Sequence, residues 1–155
     1  MWSLTKEHCK TIPISKSDEV IFTLTDYKKN PSRYSFLIEI LKKNYSRVYF
    51  LIQGVNDEAY LNSIISDDDI VRIPPTLDEF TNFLNLHQCD YVGTRLHAGI
   101  KAMQCSRRSI IIAIDNRALE LERDYHITCI HEDEMEEWEL QKMIWENISI
   151  YLSEK

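Results

Sequence analysis

Asp90-Tyr91-Val92-Gly93-Thr94-Arg95-Leu96-His97-Ala98-Gly99 reads as a short buried strand, a glycine turn and the first turn of a helix. Thr94 is a good N-cap, because its hydroxyl can accept a bond from one of the first free backbone N–H groups. Arg95 and His97 then become the first and third helical residues. A cation is misplaced there, since the helix dipole puts partial positive charge at the N-terminus. A bound anion reverses that sign, with free N–H groups, dipole and guanidinium converging on it. The competing reading gives Arg95 solvent or a nearby carboxylate and makes His97 an ordinary, partly buried histidine.

Outward from this stretch, apolar runs alternate with amphipathic ones. Residues 19–25 are β-branched and apolar, suited to a central strand. Asn30 can cap the next helix, with Pro31 at its first position and Tyr34, Leu37, Ile38 and Leu41 as its buried stripe. Residues 48–52 are nearly continuous in apolar character, as in a strand covered on both faces. A helix through Tyr60, Leu61, Ile64 and Ile65 follows. A short strand at 70–73 stops at Pro74-Pro75. Thr76 and Glu79 form a capping box for a helix that buries Leu77, Phe80, Phe83 and Leu84. Beyond the opening stretch, Leu96, Ile100 and Met103 face inward. Residues 109–114 are the most apolar strand of the chain, ending at Asp115-Asn116-Arg117, where Asn116 can cap a short helix through Leu119. After a last strand at 127–130, Asp133 and Glu136 cap a long helix carrying Trp138, Leu140, Ile144, Trp145, Ile148 and Leu152.

Strands alternating with helices predict an α/β fold, a Rossmann-like parallel sheet with helices on both faces. At 155 residues and 44% hydrophobic, the chain fills one such core and is too short for two. Residues 17–155 form that single domain. Residues 1–16, with Trp2, Leu4 and Ile12-Pro13-Ile14, are too apolar for a free tail and read as a linker or inter-domain segment.

With strand order 3-2-1-4-5-6, the first and fourth strands are neighbours where the order reverses. Ligands bind beyond the carboxyl ends of strands at such a point. Asp26, Tyr27, Lys28 and Lys29 then form one lip of a crevice, and Gly93, Thr94, Arg95 and His97 the other. Asp115, Asn116 and Arg117 close one side. Topology and charge thus select the same turn.

Several function classes are disfavoured. The net charge of −7 gathers in residues 120–155, with 11 acidic against 3 basic residues, and leaves no basic face to track nucleic acid. No glycine-rich dinucleotide loop follows the first strand, and Walker A, G-x-S-x-G and H-E-x-x-H are absent. The four cysteines, Cys9, Cys89, Cys105 and Cys129, are far apart and read as reduced thiols. Asp67-Asp68-Asp69 reads as a solvated turn, and His87 with Cys89 as packing residues. No metal site is expected, no membrane span, and no signal peptide.

The segment from 77 to about 127 resembles the C-terminal part of the polysaccharide pyruvyltransferase family. The residues that carry it are Val92-Gly93-Thr94-Arg95-Leu96-His97-Ala98 after a Leu-Asp-Glu-Phe helix start, then the apolar strand from Ile110 to Ile114 and Asp115-Asn116-Arg117. The resemblance implies a GT-B-type architecture of two Rossmann-like domains, of which this chain is the second, donor-binding one. It implies transfer of a pyruvyl unit from phosphoenolpyruvate to sugar hydroxyls, forming a cyclic ketal and releasing phosphate. The acceptor, a glycan or lipid-linked sugar of a cell-surface or exported polysaccharide, would lie mainly on an N-terminal domain absent from this chain. No cofactor is implied beyond the donor substrate, and the expected setting is cytoplasmic, with the inner face of the membrane as one option within it.

Arg95 and His97 match the residues that contact phosphoenolpyruvate in the family. Arg95 would hold one of the donor's two acidic groups and neutralise charge as phosphate departs, with Arg117 or Lys28 on the other. His97 would act as general acid/base or as a phosphate hydrogen bond, and the residues do not separate the two. The remaining substrate-binding candidates are Gly93, Thr94, Asn116 and Tyr27. Two other readings stand: a nucleotide-sugar-binding domain of a GT-B-type glycosyltransferase, and a non-catalytic binding module. This chain by itself is expected to be inactive.

Overall fold

The strands of the sheet are β1 Glu19–Thr23, β2 Arg47–Leu51, β3 Val71–Ile73, β4 Cys89–Gly93, β5 Ser109–Ala113 and β6 Thr128–His131. All pair in parallel, in the order β3-β2-β1-β4-β5-β6. The computed structural model describes residues 5–24, 31–65, 69–113, 127–131 and 137–146. Its helices are α1 Lys6–Thr11, α2 Pro31–Asn44, α3 Asp57–Ile64, α4 Leu77–Leu86, α5 Leu96–Gln104 and α6 Glu137–Trp145.

The expected fold class and strand order are the observed ones. Strands β1, β2, β4 and β5 are buried along nearly their whole length, which explains why their sequences lack an alternating pattern. Right-handed crossovers put α2 and α3 on one face, and α4 and α5 on the other. Helix α2 meets both α3 and α6, while α1 meets α5. The Tyr49 ring packs 4.7 Å from Phe83 of α4, and Phe22 and Phe50 pack 5.0 Å apart on the sheet.

Several element ends differ from the sequence reading. The first strand closes at Thr23, the second opens at Arg47, the third opens at Val71 and the last runs from Thr128 to His131. Thr76 does accept from Glu79 N at 3.1 Å, as a helix cap should. In the expected linker, residues 6–11 are helical, and the Thr5 hydroxyl and His8 ring form a reciprocal cap. Ile12 belongs to the core, and Thr11 bonds to Ser106 after α5. The Lys16 ammonium lies 4.3 Å over the Tyr45 ring and 4.6 Å over that of Trp145. Residues 5–16 therefore pack on this domain's own helices. The proposed caps Asn30, Asn116, Asp133 and Glu136 lie outside the described residues.

One interaction absent from the sequence reading ties the amino end of the sheet together. Arg108, just before β5, and Asp90, in β4, are both fully buried and paired at 2.8 Å. Asp90 also accepts from the Tyr45 hydroxyl at 2.7 Å and from Ser17 N at 3.3 Å. Burial pushes the Asp90 carboxyl up, against the pull of Tyr45 and Arg108. The second amino group of Arg108 faces the carbonyls of Met143, Ile144 and Glu146 at 2.8–2.9 Å. It thereby caps the carboxyl end of α6, whose last C=O groups have no helical partner.

Two outcomes follow. Arg108→Met strands a buried carboxylate and should lower stability by about 3–5 kcal/mol in urea titration, with Asp90→Asn added to it recovering part of the loss. Burial raises the Cys89 thiol to about 12, so a disulfide reagent applied to the folded protein at pH 8 should leave Cys89 unmodified until denaturant is added.

Candidate functional site

The carboxyl ends of β1 and β4 meet where the strand order reverses, with Thr23 opposite Gly93. The chain leaving β4 turns at once into α5, as the opening stretch requires. The cap differs from expectation. Arg95, with φ −92° and ψ 102°, is the N-cap, the helix begins at Leu96, and His97 is its second residue. Thr94 is buried one position earlier.

A small ring of hydrogen bonds accounts for the shift. The Arg95 N–H donates to the Thr23 hydroxyl at 3.2 Å, and the Tyr91 hydroxyl donates to the Arg95 carbonyl at 2.8 Å. Thr23 and Tyr91 oxygens lie 2.6 Å apart, with the Thr23 hydroxyl left to donate to Tyr91. This ring holds Arg95 extended, so a long-range contact from β1 overrides the local capping preference of Thr94. The Arg95 carbonyl still accepts the first helical bond, from Gly99 N at 3.2 Å. Burial pushes the Tyr91 phenol upward, keeping it protonated as a donor.

The ring also explains Gly93. A Cβ there would run into the Thr23 hydroxyl, with Tyr91 Oη 2.7 Å and Thr23 N 2.8 Å away. Gly99 has a related reason one turn into α5, where a Cβ would press on Ile111 and stand 3.1 Å from the Tyr91 ring.

Arg95 Nε donates to the Leu24 carbonyl at 3.0 Å, and one amino group pairs with Asp57 Oδ1 at 3.0 Å. The Asp57 side chain is 1% exposed and that of Arg95 26%. Asp57 Oδ2 accepts the N–H groups of Gln53 and Gly54, both at 2.9 Å, folding the β2–α3 loop around the carboxylate. The carboxylate partner anticipated for Arg95 is therefore present and comes from α3. Asp57 itself was hidden in the sequence, because Asp57-Glu58 reads as an ordinary acidic first turn of a helix.

His97 is exposed on the first turn of α5. Tyr27, Lys28, Asn116 and Arg117 lie outside the described residues, as do Asp26, Lys29 and Asp115. The structure thus brings Gly93, Thr94 and Arg95 together with Thr23, Leu24 and Asp57 at the switch point. A cavity of about 510 Å³ lies at the opposite end of the sheet, by the starts of β2 and β3, lined by Lys42, Ser46, Arg47 and Asp69 among others. Among the described residues, no group of three acidic, histidine or cysteine side chains is placed to hold a metal ion. No described helix is long and apolar enough to cross a membrane.

Comparison with protein-family models, with curated proteins and with solved structures gives no match.

Gly93→Ala should break the hydroxyl ring and lower stability by about 1–3 kcal/mol, because backbone as well as side-chain atoms of Thr23 must move. Thermal unfolding of the variant, alone and with Thr23→Ala, checks this, since removing the Thr23 hydroxyl should return part of the loss.

Proposed function

We propose that the chain is the donor-binding domain of a polysaccharide pyruvyltransferase of GT-B-type architecture, with phosphoenolpyruvate as its ligand. The observation that carries the reading is the placement of Arg95. It stands at the mouth of the parallel sheet where the order reverses, on the residue that opens α5. In this reading the guanidinium binds one acidic group of the donor, and the positive end of the α5 dipole adds to it. The Asp57–Arg95 pair is neutral as a unit, so the donor's remaining charge falls to Lys28 or Arg117. Two sugar hydroxyls, held by an N-terminal domain, add to the enol carbon of the donor. One hydroxyl proton goes to its methylene carbon, which becomes the methyl group, and the other leaves with phosphate as the C–O bond to phosphate breaks. Exposed His97, on the same helical turn, is suited either to move a proton in that step or to hold the phosphate.

A second reading is favoured by two contacts. Arg95 already has Asp57 and the Leu24 carbonyl as acceptors, as a clasp in a non-catalytic binding module would.

Calorimetry with phosphoenolpyruvate, UDP and GDP on the native and Arg95→Ala proteins separates the readings. The first expects phosphoenolpyruvate binding that weakens about tenfold or more in Arg95→Ala, the loss of a charge-assisted contact. Nucleotide binding without phosphoenolpyruvate binding would favour a nucleotide-sugar domain. Binding of none of the three would favour the clasp. Turnover is expected only once an acceptor-binding domain is supplied.

A further inference from the structure

We infer that Asp57 is a positioning residue of the switch-point site: it sets the guanidinium of Arg95 and, through the same carboxylate, the Gln53–Gly54 edge of the crevice. The inference rests on the anion-site reading of Arg95 above.

Three observations carry it. First, Asp57 contributes its two oxygens to different partners. Oδ1 receives Arg95 at 3.0 Å, while Oδ2 receives two backbone N–H groups at 2.9 Å. A carboxylate held this way by its own loop has no freedom to follow the arginine, so the arginine is aligned to it. Second, Arg95 is held at both ends, its backbone by Thr23 and Tyr91 and its Nε by Leu24. Nε lies in the guanidinium plane, so the bond to Leu24 fixes one edge of that plane and the bond to Asp57 fixes a second of its donors. Third, the loop fits closely around the pair. A Cβ on Gly54 would sit 3.3 Å from Asp57 Oδ1 and 3.8 Å from the Arg95 amino group. Glycine at 54 lets the loop backbone approach the pair, and Val55, next in the loop, is almost wholly exposed.

A guanidinium aligned before its ligand arrives loses little freedom on binding, which is how alignment becomes affinity. An unaligned one must be ordered by the ligand itself. Asp57 buried against Arg95 also keeps water from the inner edge of the guanidinium, so the ligand meets a fixed donor edge rather than a solvated side chain.

Asp57→Asn tests the assignment. One amide oxygen can still receive the two loop N–H groups, but the amide nitrogen then faces Arg95 and the ion pair is gone. Binding of phosphoenolpyruvate and of inorganic phosphate is measured by calorimetry on both proteins. In parallel, the solvent exchange of the Arg95 Nε–H proton is followed by 15N NMR, its resonance assigned by its loss in Arg95→Lys. The expected result is binding about tenfold weaker in Asp57→Asn, with faster exchange of the Nε–H proton and an unchanged spectrum for β4 and β5. Binding as tight as, or tighter than, in the native protein would overturn the positioning role, the tighter case making Asp57 a competitor of the ligand. Unchanged Nε–H exchange would overturn it as well. If the native protein binds neither anion, the anion-site reading itself falls and the positioning role with it. Should Asp57→Asn fail to fold, Gly54→Val, which crowds the pair and keeps both charges, takes its place with the same expectations.

Discussion

The structure depends on a charge pair that no solvent reaches. Asp90 and Arg108 face each other at 2.8 Å at the amino end of the sheet, and the shell around them draws on three parts of the chain. Tyr45 comes from the end of α2, Ser17 from the run into β1, and three carbonyls from the end of α6. Burying such a pair is not in itself a source of stability, since desolvation offsets most of the attraction. It specifies position. The second amino group of Arg108 is bonded only where the helix presents its last carbonyls, a directional demand that an apolar pair would not make. With β4 and β5 anchored at their amino ends, the carboxyl end of β4 is delivered to one spot, and the switch-point turn is built from there.

At that far end the governing contacts are of another kind. A triangle of neutral hydroxyl and peptide groups, Thr23, Tyr91 and Arg95, sets the backbone, and an ion pair to Asp57 sets the side chain. The anchored amino end and the hydrogen-bonded carboxyl end together tie β4 at both of its ends. Its neighbours reach it from both sides in register, β1 through Thr23 opposite Gly93 and β5 through Ile111 opposite the same glycine.

How much of this could be read from the residues follows from how local each cause is. The strands and their order were legible because continuous apolar runs such as 109–113 have one physical use in a chain of this length, and because short crossovers leave few topologies. The turn at Gly93 was legible for the same reason. The N-cap was not: Thr94 carries the right hydroxyl, but a threonine 71 positions earlier in the chain decides where the helix begins. Nor was the Asp90–Arg108 pair, whose partners are 18 residues apart and have no local signal that joins them. Asp57 was concealed most completely, since an aspartate opening a helix already has a local explanation. Tyr27, Lys28, Asn116 and Arg117, by contrast, fall on segments outside the described residues, so their place in the crevice stays an expectation of topology alone.

The three glycines of the chain share an unusual property. None has a left-handed backbone, and the residue that does, at φ 63°, is Ser106. Two of them are small because something else occupies the volume a side chain would take, a hydroxyl pair at Gly93 and an isoleucine at Gly99, while at Gly54 a Cβ would press on the Asp57 carboxylate at 3.3 Å. A position chosen for torsion can be judged in isolation, but one chosen for volume is bound to its occupant. In any chain descended from this one, a larger residue at 93 is therefore expected to arrive together with a smaller or hydroxyl-free residue at 23, so that the pair drifts as a single evolutionary character.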